Sequence, residues 1–332
     1  MANFLELNSS SAENNMKCAL VGCGKAGKAL LNELIANPIV ESIKVYDPEF
    51  EKIQNEYNSI EKIVSFNPNL DDFISDLDLL VIASPDHLHA KYLIKAINLG
   101  INCFVEKPAV TNISDLTAMK TAIENNPEVQ ITSNLILRAA PLFIELQKAF
   151  SENAFGSKVF IEGKYLYGRW EKLSSGWRGE PGYSVILGGL IHLVDILCFV
   201  TGNYEFEKKT EYHRLTNKIP YNINDFGSMI LSNTDIGLAH LTTNFSSPIN
   251  HRRDFAIYGD KSWIEIHGKQ VSSGGEIAEL NVDKLNAIAN SKGDLLRSFI
   301  GDVSQNYQGA SLYPTKMEML KVLELCIDHK FF

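Results

Sequence analysis

The spacing of hydrophobic and polar positions changes near residue 140. Up to that point, short apolar runs alternate with longer stretches whose apolar residues recur at helical spacing. KCALVG (17–22) reads as a strand and KAGKALLNELIAN (25–37) as a helix. SIKVYD (42–47) and EKIVSF (61–66) read as strands, and a helix starts in NLDDFISD. LDLLVIAS (77–84) is apolar almost throughout, as expected of a strand covered by helices on both faces. DHLHAKYLIKAINLG (86–100) predicts a helix ended by Gly100 in the C′ position. A strand at 102–105, a helix near 112–124 and the strand EVQITSN (128–134) follow. This βαβα series implies an α/β fold with a doubly wound parallel sheet.

Beyond residue 140 the runs lengthen and alternate with period two. SKVFIEGKYLYG (157–168), YEFEKKTEYHRL, DFGSMILSN, GLAHLTTNFS, RDFAIYGD and SWIEIHG all have this pattern. It predicts a mainly antiparallel open sheet with one face uncovered by its own helices. One helix (185–202) interrupts the strands, and helices near 292–305 and 315–328 close the chain. A length of 332 residues exceeds what one core usually covers. The expected division is a disordered tail at 1–16, a dinucleotide-binding domain at 17–139, and a substrate-binding and oligomerising α+β domain at 140–332. Phe160, Leu231, Leu241 and Phe255 are expected on the uncovered face, so self-association to a homodimer or homotetramer is expected too.

Composition narrows the partners. A net charge of −9 disfavours nucleic acid and anionic membrane, which would not attract the chain at long range. The five cysteines (Cys18, Cys23, Cys103, Cys198, Cys326) contain no C-x-x-C pair, and the histidines show no metal spacing. That usage suits a reducing cytoplasm and supports neither a disulfide framework nor a metal site. Residues 1–16 lack Lys and Arg, unlike a secretory signal, and no apolar run approaches a membrane span.

The first turn carries the chemistry. VGCGKAG places Gly22, Gly24 and Gly27 in G-x-G-x-x-G spacing between a strand and a helix, with Lys25 and Ala26 inside the loop. The first glycine allows the tight turn, the second lets a pyrophosphate approach the backbone, and the third lets helix and strand pack closely. Free N–H groups at the helix start then face the phosphates. Asp47 follows twenty residues after Gly27, at the end of the next strand. It suits adenosine ribose hydroxyls and repels a 2′-phosphate, and Pro48, Glu49 and Phe50 add no cation. A Rossmann domain that takes NAD in preference to NADP is the resulting expectation. A helix-capping role for Asp47 is compatible with the same position.

A second stretch, NCFVEKPAV (102–110), carries an apolar strand directly into Glu106, Lys107 and Pro108. In a doubly wound sheet ligands bind at this carboxyl end. Hydride exchange at a secondary alcohol also requires moving the hydroxyl proton, and a lysine whose charge is disfavoured by burial can do so. A surface Glu–Lys pair is the bland alternative. Together with ASPDHLH (83–89), which contains Ser84, Pro85 and His89, and with Asn134, Arg138 and Pro141, the chain resembles the glucose-fructose oxidoreductase/inositol dehydrogenase (Gfo/Idh/MocA) family. The resemblance runs over nearly the whole chain from Lys17. It implies that Lys107 is the proton-transfer residue beside the nicotinamide, with Glu106 and Pro108 holding it and the ring. It also implies that Ser84, Pro85, His89, Glu106 and Asn134 join the cofactor site.

WRGEPGYSVILGGLIHLVD (177–195) resembles the family's histidine-bearing helix, with His192 and Asp195 on the family's histidine and last aspartate. His192 would share catalysis with Lys107. Many members carry an Asp four residues before the histidine; here that position is Gly188, which leaves the proton route open. Arg138, Trp177, Arg178, Tyr183 and Asp195 are candidates for holding substrate; Arg138, Trp177, Arg178 and Tyr183 could instead only pack the domain junction. HRRDF (251–255) reads as a solvated strand edge, and His251 as ordinary. The implied activity is an NAD-dependent oxidoreductase acting on a carbohydrate-like small molecule: a sugar, polyol or sugar derivative, with or without a nucleotide. A catalytically silent NAD-binding sensor of the same fold and a reductase of non-sugar carbonyls are the alternatives.

Overall fold

A computed structural model of the chain describes residues 15–67, 76–277, 293–307 and 312–327. Its first sheet is six-stranded and all parallel, in the order β3-β2-β1-β4-β5-β6. The strands are β1 (Met16–Val21), β2 (Val40–Tyr46), β3 (Ile63–Asn67), β4 (Leu79–Ile82), β5 (Asn102–Val105) and β6 (Ile131–Ser133). Strand order reverses between β1 and β4, the point where doubly wound sheets open a crevice for ligand. β1 lies between two strands and under helices on both faces, so its side chains alternate between two cores. Ala19 and Val21 join the larger apolar cluster, while Cys18 and Leu20 join the other, with α1 (Lys25–Ala36).

Met16, expected within the tail, pairs with Val40 at the start of β1. The helix expected to start within NLDDFISD falls on residues outside the described set. Helix α2 (Phe50–Tyr57) was not anticipated; it is short and mostly polar, with Ile53 its one buried residue. α3 (His89–Asn98) ends as expected, with Gly100 at φ +74°. α4 (Ile113–Asn125) is capped by Asn112, whose Oδ1 accepts from the Asp115 amide at 2.9 Å.

The second sheet has seven strands in the order β13-β12-β11-β7-β10-β9-β8. They are β7 (Val159–Leu166), β8 (Glu207–His213), β9 (Phe226–Asn233), β10 (Gly237–Asn244), β11 (Arg252–Gly259), β12 (Ser262–His267) and β13 (Gln270–Gly275). All pairs are antiparallel except β7 with β10, so β7 is a central strand flanked by β10 and β11. α5 (Pro141–Ser151) and α6 (Ile191–Thr201) complete the larger core against one face. The helix expected at 185–202 is two pieces: a π turn over Ile186–Leu190, then α6, ended by Gly202 at φ +67°. The assignment of apolar residues to the open face needs correcting. Leu231, Leu241 and Phe255 are buried on the helix side, and Phe160 alone of the four is exposed. The open face carries Phe160 with Ile230, Leu238 and Trp263.

Helix Asp294–Ser304 returns to the first sheet, where Leu295, Leu296, Phe299 and Ile300 join the core under α1. The Arg297 guanidinium grips the Glu33 carboxylate on α1 with two donors. Among the described residues no helix is long and apolar enough to cross a membrane. All five cysteines are free and buried.

Candidate active site

The carboxyl ends of the first sheet's strands face the end of the second sheet where β7 and β10 finish and β11 begins. A cleft of about 670 Å³ lies there. Gly22, at φ +85°, makes the first turn; a Cβ on it would lie 2.6 Å from the Ser84 amide nitrogen. Gly24 has no atom within 4 Å of where its Cβ would sit, so space for a ligand remains above the start of α1. Gly27 does not line the cleft: a Cβ there would come within 2.0 Å of the Gly22 carbonyl oxygen, so it serves packing. Lys25 and Ala26 line the opening. Asp47 accepts from the Cys23 amide at 2.7 Å and from the Glu49 amide at 2.8 Å. Two backbone donors orient the carboxylate and leave acceptor capacity for hydroxyl groups.

Ser84, Pro85, Glu106, Lys107 and Asn134 line the middle of the cleft, delivered by β4, β5 and β6. Asn134 Nδ2 donates to Glu106 Oε1 at 3.0 Å, which fixes the glutamate from the neighbouring strand. Lys107 Nζ donates to the Gly188 carbonyl oxygen at 2.7 Å, a contact between the two parts of the molecule. Burial, aided by the Arg178 charge, draws Lys107 below the ordinary lysine pKa, while Asp86 and Glu106 oppose the shift. Asp86 is itself pushed up by burial and held back by Lys107, His89 and Arg178. Sequence reasoning missed Asp86, which reads there as an ordinary acid in a first helical turn.

His89 needs correcting from cofactor contact to support. It is fully buried, and its ring nitrogens lie 2.7 Å from the Pro108 carbonyl oxygen and 2.8 Å from that of Ser84. It thereby ties the turn after β4 to the segment after Lys107. Arg138 and Asp195 also stand apart from the cleft. Arg138 Nε and Nη2 donate to the Asp195 carboxylate at 2.7–3.1 Å, and Nη1 donates to Glu318 at 3.0 Å. The expectation that this pair holds substrate gives way to a sealed junction among residues 136–139, α6 and helix Lys316–Cys326.

Trp177, Arg178, Tyr183 and His192 do line the cleft. The Tyr183 ring fills the space that the absent side chain at Gly188 leaves. A Cβ on Gly188 would meet the Tyr183 hydroxyl at 2.1 Å. His192 is 5% exposed and stacks on Tyr165 with centroids 6.1 Å apart. Six further residues were missed: Tyr165, Tyr167, Arg169, Lys172, Phe245 and Arg253. His251 joins them, so HRRDF is no solvated edge. β11 is an interior strand, and Arg253 sits opposite Tyr165 on the core-facing side. Arg252 points the other way and pairs with Asp254 at 2.8 Å. The aromatic-rich end of β7, YLYGR, was the available signal.

A glycine loop, a carboxylate just after β2 and a lysine just after β5, all at the carboxyl edge of a parallel sheet, fit a Rossmann architecture joined to a second, open-sheet domain. Residues 16–133 match the description "Oxidoreductase family, NAD-binding Rossmann fold", and residues 143–265 match "GFO/IDH/MocA C-terminal domain". The chain belongs to the Gfo/Idh/MocA family. Oxidoreductase P35 of Formosa agariphila is 24% identical over 217 residues, 59% of this chain and 64% of that protein. The chain thus spans under two thirds of that relative's length. Two solved structures share the fold. One is myo-inositol 2-dehydrogenase from Lactobacillus plantarum, with TM-score 0.77, 17% identity, and 94% and 95% of the two chains covered. The other is a levoglucosan dehydrogenase in complex with NADH, with TM-score 0.77, 16% identity, and 93% and 94% covered.

Proposed function

We propose that the chain is an NAD-dependent oxidoreductase that interconverts a secondary alcohol and a ketone on a sugar, polyol or sugar derivative. The observation that carries this is Lys107, an amine with a depressed pKa held just past the carboxyl end of β5, one strand from the switch point, and facing the cleft. The residues fit the cofactor: the backbone above Gly24 is open, α1 begins there, and Asp47 is preset for hydroxyls. When bound, the nicotinamide would supply the hydride acceptor, or the donor in the reverse direction. Lys107 handles the proton. Its neutral amine takes the hydroxyl proton in oxidation, and its ammonium returns one to the carbonyl oxygen in reduction.

Glu106, held by Asn134, and the Gly188 carbonyl fix the lysine's reach. Where many family members carry an Asp, Tyr183 occupies the space, so any second proton contact comes from its hydroxyl or from His192. Asp47 favours NAD over NADP, and the exposed Phe160, Ile230, Leu238 and Trp263 favour self-association through the open sheet face, measurable by sedimentation. The decisive test is a screen of NADH oxidation and NAD reduction against neutral sugars, polyols, sugar acids and sugar nucleotides. At least one pair should turn over, and the rate should fall by about a hundredfold or more in Lys107→Ala. A protein that binds NADH yet turns over none of them would favour the sensor reading.

A further inference from the structure

The two walls of the cleft differ in charge: one mixes acids and lysines, and the other carries cations alone. The first sheet's side contributes four acids, Asp47, Glu49, Asp86 and Glu106, together with Lys25 and Lys107. The wall built from residues 165–253 contributes Arg169, Lys172, Arg178 and Arg253, and no Asp or Glu. The chain as a whole is acidic, at −9, so this basic wall is not a general bias.

Neutral groups hold these cations in place and leave the charge standing. Arg169 lies over the Tyr167 ring at 5.3 Å, and Lys172 Nζ donates to the Tyr167 hydroxyl at 2.7 Å. Arg253 lies over the Tyr165 ring at 5.6 Å, with Nη2 3.3 Å from His251 Nε2. Among the described residues, none of the four is ion-paired with a carboxylate, although the chain's Arg138, Arg252 and Arg297 all are. Arg253 Nε is buried and has no hydrogen-bond partner, an arrangement that folded proteins rarely leave unexplained.

The titrating neighbours register the same field. Burial and the charges of Arg253, Arg169 and Lys172 push His251 down to about 4, so it is neutral at physiological pH. Burial alone would raise Tyr167, yet Lys172, Arg169 and Arg178 bring it below the ordinary phenol value.

We infer that the substrate of this cleft is an anion, a sugar or polyol bearing a carboxylate or phosphate group that docks between Arg253, Arg169 and Lys172. Guanidinium forks and a lysine suit either oxyanion, and a partly buried wall makes the pairing stronger than it would be on an open surface. The proposal rests on reading the cleft as a dehydrogenase site, and it adds the charge of the substrate.

Calorimetry on the full chain saturated with NADH tests it, with glucose as the neutral probe, glucuronate and gluconate as carboxylates, and glucose 6-phosphate as the phosphate. At least one anionic probe should bind about tenfold or more tighter than glucose, with affinity that falls as salt rises. Arg253→Gln and Lys172→Gln should each weaken that probe about tenfold and leave NADH affinity as it was. Whether the carboxylates or the phosphate gain the advantage decides between the two oxyanions. Glucose binding as well as every anion, or both variants binding the anion at full affinity, would overturn the inference. The two readings can fail separately. Tight anion binding with no hydride transfer to or from any probe sinks the dehydrogenase reading alone, while turnover of neutral sugars as fast as anionic ones sinks this one alone.

Discussion

Two groups of buried or half-buried cations behave differently. Around Arg138, all three guanidinium nitrogens find protein partners: Asp195 accepts from Nε and Nη2, Glu318 accepts from Nη1, and Tyr204 lies 3.2 Å from Nη2. The exposures are 1% for Arg138 and 0% for Asp195, so no ligand reaches them. Around Arg253, Arg169 and Lys172 the supports are aromatic rings, a phenol and an imidazole, and the side chains border open space. A buried charge whose partners are all protein is a clamp. A charge braced by neutral groups beside a cleft is kept for something that arrives.

The largest effect should come from the group with the most to do. Lys107→Ala should lower turnover by about two to four orders of magnitude, the usual cost of losing a positioned acid–base group. NADH affinity, read by fluorescence titration, should stay near wild type, because the glycine loop and Asp47 are untouched. Lys107→Arg should be nearly as poor, since a guanidinium does not release its proton near neutrality. Wild-type turnover in Lys107→Ala would make the lysine structural.

The direction of the Lys107 shift fixes a second outcome. Oxidation needs the neutral amine, so its rate should rise with pH through the lysine's titration. Reduction needs the ammonium and should fall through the same midpoint. Because burial draws the pKa down, that midpoint should lie below the ordinary lysine value of about 10.4. Profiles that do not mirror each other, or a midpoint at the unperturbed value, would separate the lysine from the proton.

Arg138→Ala should act on stability. Removing the guanidinium leaves Asp195 buried without its partner, a loss of about 3–5 kcal/mol. Denaturant melts should register it, and turnover per folded molecule should change far less than in Lys107→Ala. Replacing both members with apolar residues of similar size, Arg138→Met with Asp195→Leu, should recover most of the loss. If Arg138→Ala instead left the melt unchanged and raised KM, the clamp would be a binding group after all.

That contrast also marks where reading the sequence stops. The β1–loop–α1 unit and Asp47 were legible because their chemistry is local: glycines, a helix start and a carboxylate at one strand's end. Lys107 was legible for the same reason, being delivered by its own strand. Arg138 and Asp195 looked functional because charged residues beside motifs do; they neutralise each other, and Glu318, far along the chain, takes a further guanidinium donor. Arg253 looked solvated because its cleft face depends on β11 lying against β7, with Tyr165 opposite it. Tyr183 was named as a substrate contact, but its filling of the Gly188 gap is a matter of packing that no spacing records.

The smallest expected effect belongs to the acidic side of the cleft. Asp47 and Glu49 line the cleft beside the glycine loop, where the proposed NAD would place its adenosine ribose. A 2′-phosphate would meet a carboxylate at close range, and two unit charges about 4 Å apart in water-like surroundings repel by about 1 kcal/mol. Asp47→Ser removes that charge and also an acceptor for the ribose hydroxyls. The ratio of NADPH to NADH affinity should therefore rise by about five- to tenfold, partly through weaker NADH binding. The Cys23 and Glu49 amides would lose the carboxylate that now orients the loop, so a modest drop in melting temperature should accompany the change. Calorimetry with both reduced cofactors reads the ratio directly. Equal affinities in the unaltered protein would show that Asp47 orders its own turn without choosing the cofactor. Acid on one wall would then be structural, and only the basic wall would be left to select a ligand.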